Sequence, residues 1–458
     1  MTNDAGGRAA TVSIIGGAGR IGLPTAILLA NKGFKVYGVD LNQEAMACVM
    51  AGRLPFVEDG AEELLVAALS AGHLSMGSDL SVVRESGTVI VVPGTPVDEH
   101  LNPILDSFNS VVAGLVPHLR RGHLVIFRST IAPGTTDSAV QFIQRETGLV
   151  VGENLFVVAA PERVAQGQAI REMVELPQLV GAPDDASYER AAEFFGRFTQ
   201  SCCIRLSPVE AELGKLMTNM TRYVQFALSN EYYLIADAFG ANAHRIIDAC
   251  NRDYPRMSLP TPGPNVGGPC LYKDGFFLVE HVPFLDLVSS AFKINEGMTM
   301  HIVRKLDEEP SIRTVAVLGL TFKAGSDDTR NSLSFKLRKQ LLRRGCDVVL
   351  VDPYIPEHSD PRAIAGSDCV ILMTPHPEFK DLGRIMSLVR RADCLYVDVW
   401  GFWDEMRGRS RNGFFRGYEV LESRQLPTSV VASPVTDEIG APAAMETRAP
   451  TTAEQQTI

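Results

Sequence analysis

The 458-residue chain carries a formal net charge of −11, with 45% hydrophobic and 21% charged residues. That length exceeds what one core supports and points to two or three domains, while the acidic balance argues against nucleic-acid or anionic-membrane binding through a general basic surface. No run reaches a membrane span, Met1 to Ala10 lacks the apolar stretch of a secretory signal, and eight scattered cysteines without CxxC or His-Cys clustering fit neither zinc nor a disulfide framework. A reducing cytoplasm with no metal is the expected setting, and an anionic small ligand would need a locally built site.

In chain order, Thr11 to Ile15 reads as a strand, followed by Gly17-Ala18-Gly19-Arg20-Ile21-Gly22 and a helical pattern from Leu23 to Asn31 that Gly33 closes. A second strand, Lys35 to Val39, ends in Asp40. This is the order strand, GxGxxG, helix, strand and acidic residue within one βαβ unit. Gly17 permits the tight turn, Gly19 lets a pyrophosphate approach the backbone, and Gly22 lets helix and strand pack. The helix N-terminus, with Arg20 and Ile21, faces the anion. Asp40 would bond a ribose 2′-hydroxyl and repel a 2′-phosphate, which favours NAD over NADP.

Further strands are expected at Thr88 to Val92, Leu124 to Phe127 and Leu155 to Ala159. Each ends in a loop of small residues or charges, where ligands of open α/β sheets sit. Thr95 and Thr130 lie in the first two loops, and Glu162 and Arg163 follow the third strand. Ser207-Pro208-Val209-Glu210 then reads as a capping box with proline at the first helical position. Apolar residues from Leu213 to Leu228 extend the helix to a C-terminal Gly240, about 32 residues and roughly 48 Å. Such a helix bridges two domains and serves as a dimer spine. Lys215 and Asn219, four apart, share one of its faces.

The stretch Pro262-Gly263-Pro264-Asn265-Val266-Gly267-Gly268-Pro269-Cys270-Leu271-Tyr272-Lys273-Asp274 is rich in proline and glycine and is expected to be a shaped loop. It delivers a thiol, an ammonium and a carboxylate within five residues, and Lys273 would favour a nucleophilic thiolate. On its own the stretch equally fits a buried structural cysteine beside a solvated Lys-Asp pair. A second helical segment is expected from Leu278 to Arg304. From Arg313 the alternation resumes, with strands at Thr314 to Leu318, Asp347 to Val351, Cys369 to Met373 and Leu395 to Val399 and a helix from Phe335 to Arg344. Lys323 and Arg330 lie on the loop after its first strand and suit a diphosphate. The fold class is therefore α/β, with two doubly wound Rossmann-like domains joined by a long central helix. The expected boundaries are an N-terminal NAD-binding domain at 1–206, a central helical dimerisation and substrate-loop domain at 207–305, a C-terminal domain at 306–422 and a disordered tail at 423–458.

These motifs together resemble the UDP-glucose/GDP-mannose dehydrogenase family, over almost the whole chain from Thr11 to about Trp403. The phrase Ala160-Pro161-Glu162-Arg163-Val164-Ala165-Gln166-Gly167 and the stretch Pro262 to Gly268 look most like the branch acting on UDP-N-acetylhexosamines. The resemblance implies a cytoplasmic homodimer that oxidises the C6 alcohol of UDP-N-acetylmannosamine or UDP-N-acetylglucosamine to a uronic acid, reducing two NAD. UDP-glucose or GDP-mannose is the alternative substrate, a non-catalytic nucleotide-sugar-binding regulator the remote one, and a two-electron dehydrogenase or epimerase would need no cysteine.

By the same resemblance Cys270 forms the thiohemiacetal and thioester, and Lys215 and Asn219 stabilise the oxyanion. Asp274, Thr130 and Glu162 position or deprotonate the water. Glu162, Arg163, Lys215, Asn219, Arg256, Gly267, Gly268, Lys323 and Arg330 contact the UDP-sugar, Arg256 from a neighbouring copy. Three departures stand out. Gln166 replaces a glutamate and raises slow thioester hydrolysis, Asn265 replaces a glycine whose positive φ it could tolerate, and Trp400 stands where many members carry arginine.

Overall fold

A computed structural model describes residues 11–98, 104–266, 268–278, 286–410 and 412–420. The chain builds two open sheets on either side of a long helix. In the first, β1 (Thr11–Ile15), β2 (Lys35–Val39), β3 (Leu74–Gly77), β4 (Thr88–Val91), β5 (Leu124–Phe127), β6 (Phe156–Ala159), β7 (Gln178–Gly181) and β8 (Cys203–Leu206) lie in the order β3-β2-β1-β4-β5-β6-β7-β8. The strands pair in parallel apart from β6 and β7, which meet antiparallel through Ala159 and Gly181. β4 and β5 are buried along their whole length, as strands covered by helices on both faces must be. The order reverses between β1 and β4, which opens a crevice at their carboxyl ends.

The second sheet repeats the scheme with β9 (Thr314–Leu318), β10 (Asp347–Val351), β11 (Cys369–Leu372), β12 (Leu395–Val397) and β13 (Phe414–Arg416), ordered β10-β9-β11-β12-β13. Here β13 runs antiparallel to β12 and closes one edge. The two units share a local device. In the first, Asp40 accepts from the Ala18 N–H at 3.0 Å, and in the second Asp352 accepts from the N–H groups of Leu320 and Thr321 at 2.6 and 3.2 Å. Each acidic residue at the end of a second strand therefore braces the turn that follows the first.

Several elements differ from the sequence expectation. β3, β7, β8 and β13 were not anticipated, because each is three or four residues long and lacks a β-branched run. Among the described residues the second central helix is Asp286–Asp307, running past the expected Arg304, and Leu278 belongs to the 3₁₀ turn Gly275–Leu278; residues 279–285 lie outside the described residues. The anticipated tail lies outside the described residues.

The long helix Pro208–Ala238 is as expected, down to the reciprocal capping box of Ser207 and Glu210 and a left-handed Gly240 just past its end. Its buried face is not uniformly apolar. Glu212, Lys215, Asn219, Ser229, Asn230 and Asp237 are buried alongside Leu216, Tyr223 and Tyr233. The Ser229 hydroxyl is satisfied within the helix by the Gln225 carbonyl, whereas Glu212, Asn219, Asn230 and Asp237 find partners off it, and these partners fix its docking. Near one end Glu212 accepts from the N–H groups of Gly134 and Thr136 at 2.7 and 2.8 Å and from the Thr136 hydroxyl at 2.6 Å, capping the helix Thr135–Thr147 of the first unit. At the other end Asp237 meets Lys305 at 2.9 Å and the Asn412 amide at 3.4 Å. Glu212→Ala would strand those first-turn donors in a buried site, at a cost of about 3 kcal/mol. The expected reading is roughly hundredfold faster hydrogen exchange at the Gly134 and Thr136 amides; unchanged exchange would mean that Glu212 does not hold this contact.

Candidate active site

Cys270 sits in a short helix, Gly268–Asp274, not in an irregular loop. The loop expectation failed because Pro269 falls in the first turn, where a proline loses no hydrogen bond. Gly268 has φ +69°, and a Cβ there would lie 2.4 Å from the Phe322 ring, so the C-terminal unit packs directly on the start of this helix. Gly267 lies outside the described residues. Helical spacing puts Cys270 and Asp274 on one face, one turn apart.

Facing them are the two residues expected from the long helix. The Asn219 amide donates to Asp274 Oδ2 at 2.6 Å, and the other carboxylate oxygen, Oδ1, is buried with no hydrogen-bond partner among the described residues. Its nearest charge is Lys273 Nζ at 3.9 Å. Lys215 is only 9% exposed and has no ion-pair partner among the described residues, yet the charges of Asp274 and Cys270 both act on it. Burial pushes the Lys215 ammonium down and the Asp274 carboxyl up, with Lys273, Lys215 and the Asn219 hydrogen bond opposing the latter. Cys270 is exposed by surface area, yet protein crowds the space around it. That crowding raises its thiol pKa first, and Asp274 adds to the rise. Lys215, Lys273 and Arg330 pull it back toward the thiolate.

The first unit reaches the cysteine helix through Lys273, which donates to the Thr95 carbonyl, while the Thr95 hydroxyl donates to the Thr130 carbonyl at 2.6 Å. Thr95 and Thr130 are thus joined at the carboxyl ends of β4 and β5, as expected. Glu162 is placed differently. Its carboxylate is taken by Arg128 and by the N–H groups of Arg163 and Val164, at 2.8 and 3.3 Å. Sequence reasoning passed over Arg128, which is buried, also donates to Gln178 and to the Ala160 carbonyl, and is lowered by desolvation to about 10. The signal was a charge immediately after an all-apolar strand. Arg163 turns away to the Pro177 carbonyl, although its charge is felt at Lys215.

The residues expected to hold NAD form a cradle. Gly16 has φ +87°, a Cβ on Gly17 would meet Gly38 Cα at 2.7 Å, and one on Gly22 would meet the Gly16 carbonyl at 2.1 Å. Gly19 is exposed and its missing Cβ would meet only the Gly16 oxygen at 3.2 Å, so the backbone there is open to a ligand. Ile21 occupies the N-cap position and offers no side-chain cap; the Leu23 N–H is bonded to the Gly19 carbonyl at 2.9 Å and Pro24 has no N–H, so in the first turn the Gly22 N–H is left without a partner among the described residues. The Arg20 side chain leaves this loop and crosses to the C-terminal unit. It pairs with Asp327 at 2.8 Å, lies 3.6 Å from Asp328 and packs over the Phe56 ring.

On the opposite wall Arg330 is held by Asp328 through bonds of 2.9 and 2.6 Å, and Lys323 donates to the Gln166 carbonyl at 2.8 Å. The Gln166 amide is wedged between Arg20 and Asp328, so the residue is spent on the contact between domains. Arg256 is exposed and stacks on Tyr254, outside this cluster. Two departures acquire reasons. Trp400 donates to the Met373 carbonyl at 2.9 Å and lies so close that a Cβ on Gly263 would meet its ring at 2.2 Å. Asn265 does not take a positive φ; among the described residues only Asp253, Asn331 and Asn412 do so without being glycine. The expected turn role is therefore incorrect, and Asn265 is instead buried with its amide turned into the C-terminal unit.

Comparison with known proteins agrees over nearly the whole described chain. Residues 10–199 match the NAD binding domain of the UDP-glucose/GDP-mannose dehydrogenase family, 209–297 its central domain and 316–405 its UDP binding domain. The chain is similar to a UDP-N-acetyl-D-mannosamine dehydrogenase of Pyrococcus horikoshii, 33% identical over 376 residues, covering 80% of this chain and 90% of that protein. A solved structure of UDP-D-ManNAc dehydrogenase from that organism superposes with a TM-score of 0.78 at 32% identity, covering 83% of this chain and 93% of the other. An NDP-N-acetyl-D-galactosaminuronic acid dehydrogenase of Ralstonia nicotianae is 30% identical over 87% of this chain and 97% of its own length. A UDP-glucose dehydrogenase structure from Pyrobaculum islandicum has a TM-score of 0.76 at 26% identity, covering 87% and 96%.

The electrostatics of Cys270 yield a pH dependence. A raised thiol pKa keeps the sulfur protonated to higher pH, so alkylation of Cys270 by iodoacetamide should keep climbing beyond the ordinary thiol midpoint of about 8.5. Lys215→Met removes a charge that favours the thiolate and should move the midpoint higher still. A rate already at its plateau at neutral pH would contradict this account.

Proposed function

The chain belongs to the UDP-glucose/GDP-mannose dehydrogenase family of NAD-dependent nucleotide-sugar dehydrogenases, and from that premise we propose that it oxidises a UDP-N-acetylhexosamine at C6 to the uronic acid through a covalent Cys270 intermediate. The observation that carries this reading is the cluster of Cys270, Lys215, Asn219 and Asp274, in which one buried carboxylate oxygen has no hydrogen-bond partner and the largely buried Lys215 has no ion-pair partner among the described residues. Such groups are costly unless a ligand completes them.

When bound on the glycine cradle and Asp40, NAD supplies the hydride acceptor for each oxidation. Lys215 and Asn219 present N–H donors where negative charge grows on the C6 oxygen. The Cys270 thiolate adds to the aldehyde carbon, forming a C–S bond and a thiohemiacetal. Loss of hydride leaves a thioester, and water breaks the C–S bond to release the carboxylate and return the thiolate. The free Asp274 oxygen is the acceptor positioned for that water's proton, and the depressed Lys215 ammonium is a proton store beside it. Thr130 lies at the joint with the first unit, and Glu162 acts by holding the loop that carries Arg163. Lys323 and Arg330, with Arg163, Lys273 and Arg222 nearby, make the cleft locally cationic in an acidic protein, which suits a diphosphate.

Two further parts of the reading rest on surface and thiol chemistry. Tyr232, Ile235 and Phe239 at the far end of the long helix and Ile246 on the neighbouring helix are exposed, Phe239 by 84%. An apolar face of this kind supports pairing of two copies across the helix, which would also offer Arg256 to a neighbour. All eight cysteines are free, which supports a reducing, cytoplasmic setting.

Two NADH and one carboxylate per UDP-N-acetylmannosamine or UDP-N-acetylglucosamine are the expected yield, read by absorbance and product mass. Turnover of UDP-glucose or GDP-mannose alone would replace the substrate assignment, and inactivity on all four would sink the enzyme reading. Cys270→Ala should lower uronate formation by at least about 10³-fold with NAD binding retained; undiminished formation would exclude the thioester route.

A further inference from the structure

Asn265 is five residues before Cys270 and makes its contacts with the C-terminal unit. Its amide nitrogen lies 2.9 Å from the Thr321 carbonyl and 2.9 Å from the Thr374 hydroxyl, with the hydroxyls of Ser332 and Ser334 at 3.1 and 3.4 Å. Its oxygen accepts from the Leu333 N–H at 2.8 Å. Leu333 is the first residue of the helix Leu333–Arg343, and Thr321 and Thr374 lie just past β9 and β11, where the order of the second sheet reverses. This is the crevice in which a doubly wound unit ordinarily receives a phosphate. In the first unit the corresponding helix, Gly22–Asn31, has no side chain capping it. In the second, Ser332 caps the Ser334 N–H and the Leu333 N–H is taken by the protein's own Asn265.

We propose that Asn265 is the positioning residue for Cys270: it seats the cysteine segment in the first βα crevice of the C-terminal unit, so that the nucleophile and that unit move as one body. The diphosphate of a bound nucleotide sugar is then excluded from this helix N-terminus and directed to the wall of Lys323 and Arg330. The seat is well satisfied, since the Ser334 hydroxyl donates onward to the Gly319 carbonyl at 2.8 Å and the Thr374 hydroxyl to the Thr321 carbonyl at 2.5 Å. The residues from Gly263 to Asn265 have no ladder of their own, and removing the amide frees the approach to the helix that carries Cys270. The role in turnover rests on Cys270 being the nucleophile, whereas the mechanical coupling can be read without catalysis.

In the full-length enzyme, Asn265→Ala should lower kcat for uronate formation by about 30-fold, as a nucleophile misplaced by a fraction of an ångström does, with KM for NAD within about twofold. Iodoacetamide labelling of Cys270, followed by peptide mass, should become about tenfold faster and lose its protection by UDP. Thr374→Val removes one acceptor and should move both readouts the same way by a smaller factor, while Thr374→Ser keeps the hydroxyl and should match the parent. Unchanged labelling in Asn265→Ala, or a uniform fall in stability, NAD affinity and kcat together, overturns the assignment. If Asn265→Ala does not fold, the Thr374 pair decides, and equal behaviour of Val and Ser at that position overturns it. Uronate formation by Cys270→Ala would refute the nucleophile reading alone and leave the labelling result valid.

Discussion

A chain segment rich in proline and glycine cannot be held by a hydrogen-bonded ladder, so wherever it must be immobile, side chains from elsewhere have to do the holding. The stretch from Gly263 to Val266, ahead of the cysteine helix Gly268–Asp274, is in this position, and each neighbouring body contributes a tether to it or to that helix. From the long helix Asn230 accepts from the Gly263 N–H at 2.8 Å, and Asn219 reaches Asp274. The first unit supplies the Thr95 carbonyl to Lys273, and the C-terminal unit surrounds Asn265. Amide groups suit this task because they donate and accept at fixed angles without carrying charge into the interior. Asn295 extends the set by accepting from Asn230 and donating to the Tyr223 carbonyl, so the two central helices share the same network.

Charge is used differently at the cleft. Arg128 and Glu162 are both buried, and their pairing keeps either from standing alone in a low-dielectric site. Arg20 and Arg330 face the same acidic pair, Asp327 and Asp328, from the two walls. The cations nearest Cys270 have less company. Lys215 has no carboxylate at ion-pair distance among the described residues, and Lys273 stands 3.9 Å from its neighbour Asp274. An overall acidic protein thus keeps a small cationic surface beside Cys270, the kind of locally built site for an anionic ligand that the net charge left open.

What could be read from the sequence follows the range of the rule involved. The glycine loop, the capping box at Ser207 and the shared helix face of Lys215 and Asn219 all depend on spacings of a few residues, and all are present. The group of Cys270, Lys215, Asn219 and Asp274 was legible as a resemblance, and the fold places its members together. What escaped depends on partners far along the chain. Glu162 was expected to face the chemistry, yet its partner is Arg128, 34 residues earlier. Asn265 was explained by its own φ, whereas its hydrogen bonds reach 56 to 109 residues away. Pro269 was treated as a helix breaker because position within a turn, not identity, decides its effect. The four missed strands are too short to carry a period of their own.

The long helix has one more implication, which is metrological. Glu212 grips the first unit and Asp237 reaches the Asn412 amide of the second, and the intervening turns separate the two contacts by roughly 37 Å along the axis. A hydrogen-bonded helix is stiff in length but bends slightly, and over such a lever a bend of about 2° shifts the far end by about 1 Å. Displacements of that size are enough to change a reaction rate by about two orders of magnitude. Substitutions on the helix surface, touching no ligand, can therefore alter the alignment of the two halves of the cleft, because the helix acts as the gauge block against which both are set.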